Sequence, residues 1–353
     1  MKTSFIRIIL YIILGIIAFF PTKNYLEKKY PNDLEKNIAQ TIFVDQNKNN
    51  ELKTGSINYP FQTIQEALNK RNEKSLEKNW TIIISNGEYQ EVLIIPKNTT
   101  LIGEINKEKK VNINNPNIEI SNTITVSNNT NLINLNINNG HIGIYIPFNT
   151  ATKIINTNIS NCSKYGLKME ATENREYYEN EIAKEVILNK TKKELEKLPL
   201  VRISHSIIQS SRKQGLYLKD GHIEIENSKI INNGEEGIDF HPHMYAKIKN
   251  NEIISNGESG VESEIEDNIL IIENNKIENN LRSGIALLTA EGIGEITIKN
   301  NSIKNNERFG IRCARHKSPP KKVRPFFSSV IKHKDNVIKN NTEGDFSLDC
   351  SNF

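Results

Sequence analysis

One apolar triplet recurs along the chain from residue 154 onward, with spacings of five and then eight residues between its members. The third members from Leu216 to Ile311 follow one another at intervals of 22 to 26 residues, the scale of one structural repeat. The copies are Ile154, Ile159, Leu167; Ile203, Ile208, Leu216; Ile225, Ile230, Ile238; Ile248, Ile253, Val261; Ile272, Ile277, Ile285; Ile298, Ile303, Ile311; and a degenerate His333, Ile338, Phe346. Such repeats bury their apolar side chains by stacking on their neighbours.

Each copy reads approximately I-x-N-N-x-I-x-N-N-x-x-x-G-I, so short β-branched stretches alternate with Asn and Gly. Asn and Gly favour left-handed turns and break helices, whereas Ile at alternate positions suits half-buried strands. The pattern therefore predicts an all-β fold, a parallel β-helix with three short strands per coil. Stacked coils would bring equivalent strands about 4.8 Å apart. We expect Asn250, Asn274 and Asn300 to stack as amide ladders in the turns.

A different signal occupies residues 42–105. It contains P-F-x-T-I-Q-E-A-L from Pro60 onward, followed by G-x-Y-x-E and L-I-G. These motifs resemble the opening of pectate-lyase-like right-handed parallel β-helix proteins, in which a short helix caps the first coil. The resemblance implies a right-handed β-helix with an N-terminal capping helix at residues 63–68. It is specific for the fold and does not identify a reaction.

The repeats and the capping signal together predict one β-helix over residues 42–350 with two insertions. The first insertion, residues 171–199, is rich in Glu and Lys and has apolar residues at near-helical spacing, which predicts an amphipathic helix. The second, residues 314–329, contains R-H-K-S-P-P-K-K-V-R and is expected to be a basic loop. Its charge would suit an acidic ligand, although a solvated loop is the simpler interpretation.

The sequence pattern of residues 1–21 predicts an export segment. Two basic residues precede an uncharged apolar run from Ile8 to Phe20. This run is typical of a signal peptide or a signal anchor, and residues 22–41 would form a linker. The bulk of the chain is therefore expected outside the cytoplasm, either secreted, periplasmic or anchored to the membrane through the N-terminal segment alone.

Charge and cysteine content restrict the possible partners and the possible disulfide bonds. The 46 Lys and Arg residues are interleaved with 42 Asp and Glu residues for a net charge of +4, so the sequence does not predict nucleic-acid binding. The three cysteines, Cys162, Cys313 and Cys350, are too few and too widely spaced for a disulfide framework. Cys313 and Cys350 could still form a single bridge.

The Gly-Ile start of the third strand sets which side chains face outward. The third member of each apolar triplet except the degenerate copy follows Gly and is expected to point into the core. Because strand side chains alternate, the first and third residues after it point away from the core. The first outward column is Lys168, Tyr217, Asp239, Glu262, Ala286 and Arg312, and the second is Glu170, Lys219, His241, Glu264, Leu288 and Ala314. Neighbours in a column would lie about 5 Å apart, so these polar residues predict one continuous patch.

This patch contains the groups needed to cleave or epimerise a uronic-acid polymer, namely a cation, a base and an acid. The candidate catalytic residues are His241 as base, Tyr217 as proton donor, Lys219 to neutralise the sugar carboxylate and Asp239 to orient the imidazole. The candidate substrate-binding residues are Glu262, Glu264, Arg312 and His243, which lies just beyond the strand. No cofactor is certain, but Asp239, Glu262 and Glu264 could hold Ca²⁺, which prefers oxygen ligands.

The segment G-I-D-F-H at residues 237–241 also resembles the G-x-D-P-H-D motif of the periplasmic mannuronan C5-epimerases. Asp239 and His241 match the first Asp and the His of that motif. Phe240 replaces its Pro, and Pro-His follows in place of its last Asp. The resemblance implies that His241 is the base. The Arg that this family places near the His has no close counterpart, because Arg312 lies three coils away, about 14 Å by the strand spacing.

Three other interpretations of the patch remain open. Outward charges on a β-helix commonly form solvated ladders without further function. Asp239, His241 and His243 could hold a transition metal, although no fourth ligand is evident. A non-catalytic cell-surface module, binding acidic polysaccharide or another glycan or serving a structural role, would need no base. The discriminating observation is whether His241 contacts Asp239 or Tyr217 closely within a groove.

Overall fold

The computed structural model describes residues 40–49, 51–73, 77–104, 110–170, 197–265, 268–289, 294–315 and 330–350. These residues form three parallel sheets, named A, B and C here, and each coil contributes one strand to each sheet in that order. In every sheet, neighbouring strands come from successive coils.

Sheet A has eleven strands among the described residues. They are β1 (Thr41–Val44), β2 (Trp80–Ile84), β5 (Thr99–Gly103), β8 (Thr130–Ile133), β11 (Thr152–Ile155), β14 (Leu200–Ser204), β17 (Gly221–Glu226), β20 (Met244–Lys249), β23 (Ile269–Glu273), β26 (Glu295–Lys299) and β29 (Val330–Lys334).

Sheets B and C have ten strands each in the described part of the chain. Sheet B contains β3 (Gly87–Gln90), β6 (Val111–Asn114), β9 (Asn136–Asn138), β12 (Asn158–Ser160), β15 (Ile207–Gln209), β18 (Lys229–Ile231), β21 (Glu252–Ile254), β24 (Lys276–Glu278), β27 (Ser302–Lys304) and β30 (Val337–Lys339). Sheet C contains β4 (Leu93–Ile95), β7 (Asn122–Val126), β10 (Ile142–Pro147), β13 (Tyr165–Glu170), β16 (Leu216–Leu218), β19 (Ile238–Phe240), β22 (Val261–Ile265), β25 (Ile285–Thr289), β28 (Phe309–Arg315) and β31 (Gly344–Phe346).

The apolar triplets stack as the sequence predicts. Ile225 pairs with Ile248 in sheet A, and Ile238 pairs with Val261 in sheet C. All four side chains are fully buried and belong to one continuous core. The predicted fold, a right-handed parallel β-helix with three short strands per coil, is therefore confirmed.

The amide ladder is displaced by one residue from its predicted position. Asn250, Asn274 and Asn300 adopt φ values of 56° to 57° and are exposed, so they supply the left-handed turn conformation. The ladder is formed by the buried residue that follows each of them. Asn251 Nδ2, for example, donates to Asn275 Oδ1 of the next coil at 3.1 Å. The two adjacent asparagines of the repeat thus have different structural tasks.

The predicted capping helix is also present, as α1 (Ile64–Asn72). Thr63 is its N-cap, and Glu66 completes a capping box, with both hydrogen bonds at 3.1 Å. The Glu91 carboxylate accepts hydrogen bonds from the first two helical N–H groups, at 2.9 and 2.8 Å. Because Glu91 lies next to the first strand of sheet C, these bonds attach the cap to the first coils.

A disulfide joins Cys313 to Cys350, whose Cα atoms lie 5.3 Å apart. This is the single bridge that the sequence left open, and it fastens the end of the chain to β28. The thiol of Cys162 is free and buried. Burial raises the pKa of this thiol to about 12, so it is unreactive.

Several predictions concern residues outside the described ranges. They are the export segment at residues 1–21, nearly all of the linker, most of the helical insertion at residues 171–199 and most of the basic loop at residues 314–329, whose first two residues instead belong to β28. Within the described ranges, no helix is both long enough and apolar enough to cross a membrane.

Candidate functional site

The outer face of sheet C carries the two columns in the predicted order. The first column stands in strict register on consecutive strands, as Lys168, Tyr217, Asp239, Glu262, Ala286 and Arg312. The second column continues just past the short strands. There the Lys219 N–H donates to the Met169 carbonyl and the His241 N–H donates to the Leu218 carbonyl, at 2.9 and 2.8 Å. The Gly-Ile pattern therefore predicted the order of the residues in both columns correctly.

His241 is the centre of this patch. Its Nε2 donates to Asp239 Oδ2 at 3.0 Å, and its Nδ1 lies 3.7 Å from Glu264 Oε2 of the next coil. The Tyr217 ring packs against the imidazole, with 4.3 Å between the ring centroids and 33° between the planes. His241 thus contacts both Asp239 and Tyr217, as the outward columns predict.

The surroundings of His241 favour its charged form. Burial by itself lowers the pKa, but the hydrogen bonds and negative charges of Asp239 and Glu264 outweigh burial and raise the pKa to about 10. At neutral pH these neighbours therefore favour the imidazolium form of the ring. The role of His241 as the base stays a prediction.

A buried carboxyl group, Glu236, lies beside this centre and was missed by the sequence analysis. Gln214 Nε2 donates to Glu236 Oε2 at 3.0 Å and to Asp239 Oδ2 at 3.4 Å. Burial, a hydrogen bond with Glu258 and the charge of Glu262 raise the pKa of Glu236 to about 9, so it is protonated at neutral pH. Glu236 precedes the repeat glycine, outside the two outward columns, and only the pair Glu-Glu before that glycine signals it in the sequence.

Glu262 titrates near neutral pH. Burial, followed by the charges of Asp239 and Glu258, raises its pKa to about 7, although Arg282 and Arg312 act in the opposite direction. Arg282 also forms an ion pair with Glu258 at 2.5 Å. Arg312, a predicted substrate-binding residue, therefore acts electrostatically on Glu262 even though one strand lies between them.

Two aromatic rings and a lysine flank the centre on its N-terminal side. The Tyr165 ring lies 5.1 Å from the Tyr217 ring, and Lys168 Nζ lies 5.4 Å from the Tyr217 centroid. Lys168 also forms an ion pair with Glu170. Burial, followed by the negative charges of Glu170 and Asp239, raises the pKa of Tyr217, which keeps its phenol protonated.

Lys219 lies in its predicted column, whereas His243 lies in a turn. Lys219 is half-buried at the end of β16, one coil from His241 in the second column. His243 lies in the turn between sheets C and A with φ of 62°, and its Nδ1 is 2.9 Å from Asp220 Oδ1. Because His243 is buried in this pair, the structure does not place it with the His241 cluster.

The predicted metal ligands can be compared with the described residues. Among these residues, no group of three or more His, Cys, Asp or Glu side chains is placed to hold a metal ion. Calcium binding by Asp239, Glu262 and Glu264, and transition-metal binding by Asp239, His241 and His243, stay predictions.

Comparisons with known proteins agree with the architecture. A family model described as "Right handed beta helix region" matches residues 186–353. A comparison with curated proteins found no match.

Among solved structures, the chain is similar to pectate lyase Pel9A, at 12% identity over 79% of this chain and 76% of that one, with a TM-score of 0.48. It is also similar to the periplasmic alginate epimerase AlgG, at 15% identity over 83% of this chain and 62% of that one, with a TM-score of 0.41. For pectin methylesterase PemA from Erwinia chrysanthemi, the identity is 11% over 88% of this chain and 94% of that one, with a TM-score of 0.46. None of these similarities assigns a reaction to the chain.

Proposed function

We propose that this chain is an extracytoplasmic carbohydrate-active enzyme that abstracts the C5 proton of a uronic-acid unit in an acidic polysaccharide, as a lyase or a C5-epimerase. The observation that carries the proposal is the position of His241, held between Asp239 and Glu264 against the Tyr217 ring on the outer face of sheet C. The Cys313–Cys350 disulfide supports a location outside the cytoplasm, since disulfides persist in oxidising compartments.

The first requirement of this reaction is a cation beside the sugar carboxylate. A C5–H bond becomes acidic only when the negative charge that develops on the adjacent carboxylate is stabilised. His241 supplies a fixed positive charge because its neighbours keep it protonated. In this proposal Lys168 and Lys219, from the two preceding coils, reinforce the positive charge at the same face.

The second requirement is a base that is ionised at working pH. Glu262 meets it, because a carboxylate with a pKa of about 7 is half ionised at neutral pH and is a stronger base than an ordinary carboxylate. Glu262 lies directly across from Asp239 on the next strand. The base role that the sequence gave to His241 therefore moves to Glu262 in this proposal.

The third requirement is an acid, and the protonated phenol of Tyr217 meets it. In a lyase, Glu262 takes the C5 proton, the C4–C5 double bond forms as the C4–O bond breaks, and Tyr217 protonates the departing oxygen. In an epimerase, Glu262 takes the same proton and Tyr217 returns one to the opposite face of C5. Asp239 holds the imidazolium in position in both reactions.

Solvent exchange at C5 tests the proposal independently of the outcome of the reaction. The protein is incubated in D₂O with polymannuronate, with polygalacturonate and with a carboxyl-reduced polymer as the control. We expect loss of the H5 proton signal in a uronate polymer and none in the control. New ultraviolet absorbance from C=C bonds identifies a lyase, and inverted C5 configuration identifies an epimerase. Binding of these polymers without H5 loss would refute the catalytic proposal and favour a glycan-binding module.

The protonated carboxyl groups favour one second candidate, glycoside hydrolysis. Glycosidases use a carboxylic acid with a raised pKa and an ionised carboxylate in the same site. Glu236 and Glu262 have raised pKa values beside Asp239, whose oxygen accepts from His241. The same incubation separates the two reactions, because hydrolysis creates reducing ends without H5 loss and without C=C absorbance.

A further inference from the structure

A polar cavity lies on another edge of the β-helix, at the turn between sheets A and B. Its volume is about 140 Å³. The lining residues are Lys110, Asn134, Leu135, Asn136, Asn156, Thr157, Asn158, His205 and Ile207. None of them belongs to the His241 site, which lies on sheet C.

The walls of this cavity are held in place by the turns themselves. Asn134, Asn156 and His205 occupy the same turn position in three successive coils, with φ values of 56°, 48° and 52°. Asn134 Nδ2 donates to the Gly103 carbonyl at 2.8 Å, and Asn134 Oδ1 accepts from Asn156 Nδ2 at 2.9 Å. The later coils have Asn227 at this position, so His205 is a departure from the repeat that falls in the cavity wall.

The cavity presents both hydrogen-bond donors and acceptors. Within the described part of the chain, nothing pairs with Asn136 Oδ1, Asn156 Oδ1 or Asn158 Nδ2, whereas the other amide atoms of these residues are bonded. Sugar hydroxyls both donate and accept, so they can satisfy all three atoms. A sulfate ion only accepts and would leave the two amide oxygens facing its own lone pairs, and phosphate near neutral pH carries its few O–H groups on a single phosphorus atom.

The charges of the cavity favour an anionic sugar. Lys110 and His205 line it, and none of the nine described residues that line it is acidic, although the chain contains 42 Asp and Glu residues. The apolar side chains of Leu135 and Ile207 offer a surface for the C–H face of a ring. Hydroxyl groups, one carboxylate and an apolar ring face are together the features of a uronic acid.

We propose that this cavity binds one uronic-acid unit and is a carbohydrate site separate from the His241 centre. The site requires no turnover, so it goes beyond the function proposed above. Its position on a different edge of the coil would let the protein hold one chain of an acidic glycan while sheet C is occupied by another.

Histidine NMR on the full-length protein tests this site directly. The ring signal of His205 is identified by its absence in the variant His205→Asn. Asn is the residue found at the equivalent position of the neighbouring turns, so this variant should fold normally. D-glucuronate is the probe, with D-glucose as its neutral counterpart and inorganic phosphate as an anion without hydroxyl groups on carbon. We expect a saturable shift of the His205 signal with glucuronate, a weaker response to glucose at equal concentration, and no saturable shift with phosphate at constant pH.

A matched pair of variants completes the test. Asn158→Asp keeps the oxygen that accepts from Gln209 Nε2 but places a negative charge in the cavity. We expect it to weaken glucuronate binding at least about tenfold. Thr297→Asp adds the same charge on sheet A, beside Lys332 and outside the cavity, and should bind glucuronate like the wild type. An equal response of His205 to phosphate, or unchanged binding in Asn158→Asp, would overturn the proposal. Turnover plays no part in these readouts, so failure here is distinguishable from failure of the His241 proposal.

Discussion

The Nε2 atom of His241 and the Oδ2 atom of Asp239 are 3.0 Å apart, and a single residue separates the two in the chain. Alternate residues of a strand point to the same face, so β19 and the residue after it bring these side chains together without help from a loop. Glu264 of the next coil then approaches the other ring nitrogen at 3.7 Å. The charge of His241 is therefore fixed by the stacking of two coils.

Replacing His241 by Gln should abolish turnover of the uronate polymer. Gln can still donate one hydrogen bond to Asp239, but it carries no positive charge to stabilise the substrate carboxylate. We expect kcat to fall by about 10² or more, and the unfolding temperature to fall as well because Asp239 and Glu264 lose their cation, while the protein still folds. Initial rates from H5 exchange and a thermal unfolding curve measure the two effects. His333→Gln, at an exposed histidine on sheet A, is the matched control and should retain full activity. Full activity in His241→Gln would remove this residue from the mechanism.

The pH dependence of the reaction tests the assignment of the base. Glu262 must be ionised to accept a proton, so kcat/KM should rise as the pH increases through about 7. His241 must remain protonated, so kcat/KM should fall as the pH passes about 10. A rate profile between pH 5 and 11 measures both limbs. If His241 were the base, the activity would instead rise through pH 10, and the assignment of Glu262 would be wrong.

A charge placed in the core should unfold the β-helix. Ile277 is fully buried and stacks between Ile253 and Ile303 in sheet B. An unpaired carboxylate there cannot be hydrated, so Ile277→Asp should lose at least about 4 kcal/mol of unfolding free energy or fail to fold. Lys276→Asp, at the exposed preceding position, should cost less than about 1 kcal/mol. Urea unfolding of the two variants compares them, and similar stabilities would contradict the burial of Ile277.

The fold was predictable because its signal is repeated in every coil. Ile225, Ile230 and Ile238 recur with the same spacing in the next coil, and only stacking aligns all of these positions at once. The position of the amide ladder was wrong by one residue. Asn250 and Asn251 are chemically identical, and the backbone conformation that separates them, φ of 57° at Asn250, is not encoded by residue type alone.

The residues of the candidate site were predictable only where the alternation of a strand determines the direction of their side chains. Asp239 and His241 follow the Gly-Ile start directly, so their outward orientation could be inferred. Glu236 precedes that start, and its contact with Gln214 of the previous coil depends on the turn. Protonation states were not accessible from sequence, because the pKa values of about 10 for His241 and about 7 for Glu262 arise from burial and neighbours on adjacent coils.

The buried proton of Glu236 should make the stability of the protein depend on pH. The pKa of this carboxyl is about 9 in the folded protein, against an ordinary value of 4.5 for a glutamate. At a pH between these two pKa values, the folded state holds a proton that the unfolded chain releases. The free energy of unfolding therefore falls as the pH rises, by up to about 1.4 kcal/mol per pH unit. Glu236→Gln cannot ionise and keeps an oxygen to accept from Gln214. We therefore expect urea unfolding at pH 6, 7 and 8 to show a shallower pH dependence in Glu236→Gln, which should exceed the wild type in stability at pH 8. Parallel pH dependences in the two proteins would show that Glu236 is ionised in the folded state.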